Sequence, residues 1–483
     1  MTKTIDIIWL KRDLRSDDHA CLKEVEGRGN KVLMLYIFEP SIRSHYTFDT
    51  RHWSFVSQSL KNLKEKFPIY VAYGEAKDVF EEICDNYQVK EILSYQETGD
   101  ELTYKRDLFL KEFFKSKEIP WREFQQNAII RGLKQRNNWD KKWREHVNSK
   151  PLKNDLSKIS FLDKSSSFDY SEFDEGCRYE IEGGEGKAKE MLDNFLKEKV
   201  NGYFINISYP EASRYHCSRL SAYISWGNLS IRQIYHYLKM RRDDVYDKKS
   251  LDQFLNRLKW HCHFVQKFEQ EPSIEFYNLN VAFNAIRNKV DKKKLKAFKK
   301  AQTGYPLVDA AIRCLQETGY INFRLRAMIV SFATHHLWLP WQCISGFLAR
   351  NFIDYEPGIH FCQLQMQAAT MGVHTIRVYN PVKQSEEKDK EGVFIKRWLP
   401  ELRSLPKELV HKPWKLSVMD QMMYKVELGT DYPFPIVDLD SAAKEARDKL
   451  WSVKKSRQSK IEGQKILKKH TEHRRGKTKR YTR

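Results

Sequence analysis

IDIIWL (5–10), KVLMLYIF (31–38), IYVAYG (69–74), VKEILSY (89–95) and WREFQQ (121–126) are short runs rich in β-branched and aromatic residues, and the stretch they span decides the fold. Amphipathic segments separate them, among them AKDVFEEICDNY (76–87) and ELTYKRDLFLKEFFKSK (101–117). Strands alternating with helices of that length predict a doubly wound parallel sheet, an α/β domain over 1–129. No GxGxxG follows the first strand, so no dinucleotide fingerprint marks it. The sheet's switch point could hold a ligand, but the sequence does not say which.

Beyond residue 130 the pattern dissolves. LKQRNNWDKKWREH and SKISFLDKSSSFDYSEFDE are polar and without period, so 130–182 reads as a long linker wrapped over a surface. From GGEGKAKEMLDNFL (183–196) to about 440 the period is helical. YPLVDAAIRCLQETG (305–319) and FRLRAMIVSFATHHLWL (323–339) are apolar at i, i+3, i+4 and i+7. A large all-α domain over 183–440 is therefore expected. The tail, 441–483, opens as a helix (SAAKEARDKLWSVKK) and closes as a basic run expected to be disordered in isolation.

The 483 residues are 41% hydrophobic, enough for real cores, and carry a net charge of +21. A chain this basic is expected to meet a polyanion, nucleic acid or an anionic membrane face. Residues 451–483 hold 13 Lys/Arg against 2 acids, so about half of the excess lies in the tail. No run of 18 apolar residues exists, which excludes a transmembrane helix, and the start is too short of apolar residues for a signal peptide. The eight cysteines are never closer than 19 positions, which excludes a CxxC zinc or redox site and a tight iron–sulfur ligand run. No metal is expected. Free thiols without a signal peptide predict a cytoplasmic protein.

Three places carry chemistry. CSRLSAYISWGNLS (217–230) offers hydroxyls and amides at a helix start, as a phosphate site needs, although an isolated S-R-L-S also reads as ordinary capping. DYEPG (354–358) sets Asp354 and Glu356 beside a Pro-Gly break, where paired acids are usually solvated. Arg324 and Arg326 lie on an otherwise apolar helix and need partners, for which nearby acids are candidates.

Taken in order, WLKRDLRSDDHACL (9–22), GGEGKAKEMLDNFL, CSRLSAYISWGNLS, TGYPLVDAAIRCL (303–315), RLRAM (324–328), DYE and NPVKQSEEKDKEGVFIKRWLPEL (380–402) resemble the photolyase/cryptochrome family. The resemblance runs from residue 5 to about 414. It implies an α/β antenna-type domain and a helical domain holding FAD beside a cavity that admits a flipped-out damaged base. Photolyases are themselves among the known base-flipping enzymes. By resemblance, Ser218, Arg219, Leu220 and Ser221 meet the FAD phosphates, and Tyr203 is the tyrosine upstream of them. Asp354 lies near the isoalloxazine with Arg326 as its ion-pair partner, and Glu356 stands where a second Asp is common. Trp260 matches the tryptophan against which a pyrimidine dimer stacks. An antenna chromophore, a folate or another, is unassigned; Glu97 or Glu101 could contact a folate.

Departures from the family's pattern bear on function. Arg257 stands where an acid reads the damaged base, and Phe323 where an asparagine assists repair. The positions of the histidine pair used on (6-4) photoproducts are Phe323 and Ala327, which leaves that acid–base chemistry no residue. His360, six on from Asp354, matches the residue facing flavin N5; it either governs the proton there or is structural. Of the tryptophan relay only Trp341 has a match; the proximal position is Leu364 and the surface one Asn288. Trp338, Tyr320 or Tyr379 could offer another route.

Three readings result: a light-driven lyase repairing UV-induced pyrimidine dimers, a cryptochrome-like blue-light receptor without repair, and a non-catalytic DNA-binding flavoprotein. DNA is the expected partner in the first and third, through Trp260 and Arg257 and through a tail bearing Lys454, Lys455, Arg474 and Arg475. The tail also reads as a solvated terminus. A monomer is expected.

Overall fold

Five parallel strands, β1 (Thr4–Leu10), β2 (Lys31–Phe38), β3 (Tyr70–Tyr73), β4 (Gln88–Tyr95) and β5 (Trp121–Phe124), pair in the order β3-β2-β1-β4-β5. The structure is a computed structural model and describes residues 4–166, 168–174 and 181–472. The alternation expected from the sequence is thus realised as a doubly wound sheet, followed by a helical domain. Successive side chains of a strand leave on opposite faces. Ile5, Ile7 and Trp9 of β1 pack with Leu33 and Leu35 on one face. Ile8, Leu10, Met34 and Tyr36 pack on the other, in a core that runs on into Tyr203, Leu220, Tyr223 and Phe254 of the helical domain. One face of the sheet is therefore fused to the elements that carry the phosphate motif.

The order of the sheet reverses at β1, between β2 and β4, and a cleft opens there at the strands' C-terminal ends, as the geometry of such sheets requires. It encloses about 80 Å³ and is lined by Trp9, Lys11, Arg12, Glu39, Glu97 and Arg106 among others. Arg106 spans it, 2.6 Å from Glu39, 2.7 Å from Glu97 and 2.8 Å from Asp107.

Two stretches differ from the sequence reading. The linker contains a helix, Trp139–Asn148, anchored by buried Trp139, Trp143 and Val147. Three apolar residues at i, i+4 and i+8 in a field of charges give too thin a stripe to stand out as a period. The basic tail holds a second helix, Arg457–His470, after Leu439–Lys455, and buries Ser459, Gly463, Ile466 and His470. Asn280 donates to the Ser459 carbonyl at 3.0 Å, and Glu472 accepts the Asp140 amide at 2.6 Å, where the linker helix begins. The described part of that run, to Glu472, is helical and docked. Arg474 and Arg475 lie outside the described residues. Among the described residues no helix is long and apolar enough to cross a membrane, none of the His/Cys/Asp/Glu groups could hold a metal ion, and the seven cysteines there are free.

Candidate functional site

The opening motif, WLKRDLRSDD, is a clamp. Arg15 donates to the Gly227 carbonyl at 3.1 Å, Asn228 to the Leu14 carbonyl at 2.9 Å, and Ser230 to Asp18 at 2.6 Å, while Arg232 pairs with Asp18. Gly227 lies at φ 75°, and a Cβ there would stand 2.0 Å from the Arg12 carbonyl oxygen, so only glycine permits this approach. The clamp fixes 217–230 against the sheet.

Within it Arg219 adopts φ 57°, turning the chain sharply before the short helix Ser221–Ser225. That helix has no side-chain N-cap, which overturns the capping alternative for S-R-L-S. The Ser218 hydroxyl accepts only a long contact, 3.4 Å, from the Leu220 amide. Uncapped first-turn amides flanked by two hydroxyls are the donor set a phosphate takes. The Arg219 guanidinium lies 4.0 Å from the Tyr320 ring centroid. Tyr203 is buried between Phe195 and Phe254.

Ser225 joins this helix to the acidic loop by donating to the Asp354 carbonyl at 3.1 Å. Asp354 is buried and Glu356 partly buried, and both are paired rather than solvated. Arg326 grips Asp354 through two bonds, of 3.1 and 2.9 Å, and its guanidinium lies 4.0 Å from the Phe352 ring. Glu356 meets His261 at 3.3 Å. Burial raises the Glu356 carboxyl, but His261 and Arg12 outweigh it and hold it below the usual range. Arg324 has a different fate from the acidic partner expected: it reaches Ser208 at 3.2 Å and Gln384 at 3.5 Å, both neutral.

The helix Pro357–Gln367 carries His360, and Gly358 lets it press onto the helix Lys248–Gln270, since a Cβ there would stand 2.7 Å from the Val265 Cα. His360 is buried, with Nε2 3.0 Å from the Ser345 carbonyl. A carbonyl only accepts, so Nε2 carries the hydrogen and Nδ1 is left as an acceptor. Burial lowers His360 to about 4, so the ring is neutral near pH 7. Trp341 is buried and donates to the Asn278 side chain at 2.8 Å.

At the rim, Trp260 is 51% exposed, its ring 5.9 Å from Phe264. The two departures beside it form one unit: the Arg257 guanidinium stacks 4.4 Å from the Phe323 ring. The alternative electron routes fare poorly. Trp338 lies between Arg287 and Lys449, at 4.6 and 4.9 Å, and Tyr320 between Arg219 and Arg326, at 4.0 and 5.2 Å. Cations on a ring's face stabilise its neutral state and oppose a positive hole on it. Glu97 is held by Arg106, and Glu101 pairs with Lys105 at 3.0 Å.

An uncapped helix start joined to a buried Arg–carboxylate pair suits a ligand that is anionic at one end and a polar aromatic at the other, which FAD is. Comparison with known proteins agrees. Residues 6–140 match the family model described as DNA photolyase, and residues 254–452 that of the FAD binding domain of DNA photolyase. The chain belongs to the photolyase/cryptochrome family, and its cofactor is FAD. A deoxyribodipyrimidine photo-lyase of Alkalihalophilus pseudofirmus is 27% identical over 474 residues, spanning 92% of this chain and 97% of that one. A cryptochrome DASH of Gloeobacter violaceus is 26% identical over 481 residues, spanning 92% and 95%. An archaeal photolyase from Sulfolobus tokodaii, solved with two FAD molecules, shares the fold at a TM-score of 0.79 and 23% identity, covering 93% of this chain and all of that one. Repair enzymes and cryptochromes stand at the same distance, so likeness alone does not separate the two activities.

Proposed function

We propose that the chain is a light-driven photolyase that opens UV-induced pyrimidine dimers in DNA. The observation that carries this reading is Trp260, a half-exposed indole one turn from Arg257 at the site's rim, the stacking surface a flipped-out base pair requires. Bound FAD supplies the absorbing ring and, once reduced, the electron that splits the dimer.

The protein's own residues do the rest. Ser218, Leu220 and Ser221 offer hydroxyls and amides to the phosphates, and Arg219 a positive charge. Arg326 and Asp354 together set the polarity beside the isoalloxazine, Glu356 anchors the loop through His261, and Tyr203 fills the wall behind. His360, which by resemblance would face the ring, would offer it Nδ1 as an acceptor. Trp341, hydrogen-bonded and buried, serves as packing and as a relay remnant. Because Leu364 and Asn288 stand at two of the three relay positions, reduction of bound FAD would call for a reductant from solution.

A second reading, a blue-light receptor without repair, draws on the Arg257–Phe323 stack. A guanidinium only donates and the phenyl ring 4.4 Å from it has no polar atom, so neither position can accept a hydrogen bond from a damaged base. The discriminating experiment is repair of a dimer-containing oligonucleotide under blue light by protein whose flavin has been chemically reduced beforehand. Turnover in light and none in darkness supports the photolyase. Bound, reduced flavin with no turnover leaves the receptor.

A further inference from the structure

The most concentrated charge in the described chain lies away from the site. Residues 287–300 (RNKVDKKKLKAFKK) hold eight cations against one acid, Asp291. Most of them ride on the helix Lys292–Lys299, which buries Phe298 alone, 6.2 Å from the Phe347 ring. Asp291 is spent on the helix start, accepting the Lys293 and Lys294 amides at 3.0 Å each. None of Lys289, Lys292, Lys293, Lys294, Lys296, Lys299 and Lys300 has an ion-pair partner among the described residues, and most are exposed.

Two features make this more than a solvated face. First, Lys292, Lys293 and Lys294 occupy the first turn, where the helix dipole favours acids and opposes cations, and the seven lysines repel one another. A local rule broken without internal compensation marks a site whose compensation comes from outside. Second, the patch adjoins a groove. Lys294 stands near enough to the helix Leu439–Lys455 to help Lys449 hold Glu445 below the usual carboxylate range. Beside it, Ile286, Trp338, Asp448, Lys449, Ser452 and Val453 line an open groove of about 430 Å³. Trp338 is set at φ 55°, strained for so bulky a residue. Behind it Arg287 is 8% exposed, with Nε and Nη2 unpartnered.

We propose that the Lys292–Lys299 helix and the adjoining Trp338 groove are a second nucleic-acid surface that takes the phosphodiester backbone of duplex DNA. The cations of the helix run along about 12 Å of one rod, from Lys292 to Lys300. Duplex DNA carries a phosphate charge every ~1.7 Å of its axis, so several can be neutralised at once. The surface is built on different elements from the rim of Trp260, Arg257 and Phe323, and it holds the duplex without reading damage. The inference rests on the DNA reading above and adds to it.

The test uses the full chain and an undamaged 30-base-pair duplex, with binding followed by fluorescence anisotropy across a salt series. Lys292→Gln, Lys293→Gln, Lys296→Gln and Lys300→Gln are combined in one variant. All four side chains are exposed and Gln keeps the helix propensity, so the fold is retained, as a melting curve checks. The slope of log affinity against log salt should become shallower by about 3. In native protein, hydrogen exchange over 286–300 should slow when the duplex is added. An unchanged slope with no added protection overturns the proposal, whether or not the cavity binds DNA. Binding of the native chain to phosphatidylglycerol vesicles that the variant loses, with the DNA slope unchanged, overturns it in favour of a membrane face. If the native chain binds no duplex at any salt, the DNA reading falls as well. Trp260→Ala separates the two surfaces: it should reduce preference for a dimer-containing over an undamaged duplex and leave the salt slope as it was.

Discussion

His360 shows how burial decides what a residue can do. As a residue type it is the side chain suited to trade protons near neutrality. Held at 3.0 Å from the Ser345 carbonyl and lowered to about 4 by desolvation, it is a neutral acceptor throughout the physiological range. The spectrum reached under blue light with excess reductant should therefore be flat between about pH 6 and 8. His360→Asn, which offers an amide donor, should change that spectrum; an identical spectrum would assign the ring a packing role. The positions of Arg326, Asp354 and Glu356 were legible in the sequence because their motifs carry them. The Arg326–Asp354 pair, which the resemblance implies, is present in the fold, whereas the contact of Glu356 with His261 was not legible, since it comes from another helix. Arg257 and Phe323 were likewise legible as separate departures, but only the fold shows that one stacks on the other.

At the level of elements, long periodic helices and β-branched strands declared themselves, and two short helices did not. Trp139–Asn148 and Arg457–His470 are charged segments whose helicity comes from docking, through Glu472 on the Asp140 amide and Lys469 against Glu271. Arg136 binds this region to the Trp260 helix, donating to Gln270 at 2.6 Å and to the His263 carbonyl at 2.9 Å. Truncation after Ser456 should accelerate hydrogen exchange across 263–282, whereas truncation after Glu472 should leave it unchanged. Equal exchange in both would mean that the last helix covers nothing of consequence. The TGYPLVDAA motif illustrates the converse, a legible motif whose role is structural. Asp309 takes the Thr303 amide and hydroxyl, the Gly304 amide and the Tyr432 hydroxyl, fixing the chain's return from 432.

Across the whole molecule, Glu275 of the helical domain ties the two domains by accepting the Tyr46 hydroxyl at 3.2 Å and the Glu101 amide at 2.8 Å. Burial, with Asp100 second, raises its carboxyl to about 7. Between about pH 4.5 and 7 the folded chain then holds on Glu275 a proton that the unfolded chain has released, so the contribution of Glu275 to stability falls as pH rises through that window and levels above it, while buried histidines such as His360 contribute with the opposite sign. Glu275→Gln should therefore gain up to about 3 kcal/mol relative to the native chain between pH 5 and pH 7.5, measured as the difference in urea-unfolding stability at the two pH values. A variant with the native slope would place the titrating group elsewhere. The order of elements, the two-domain fold and the family could be read from the amino-acid string, because hydrophobic period and short motifs are local properties. The clamp of 9–22 on 225–232, the contact of Glu356 with His261, the second helix of the tail and the Arg257–Phe323 contact belong to the tertiary structure alone. Each joins residues remote in sequence, and whether a charge is paired, neutral or free is set by what the fold brings beside it.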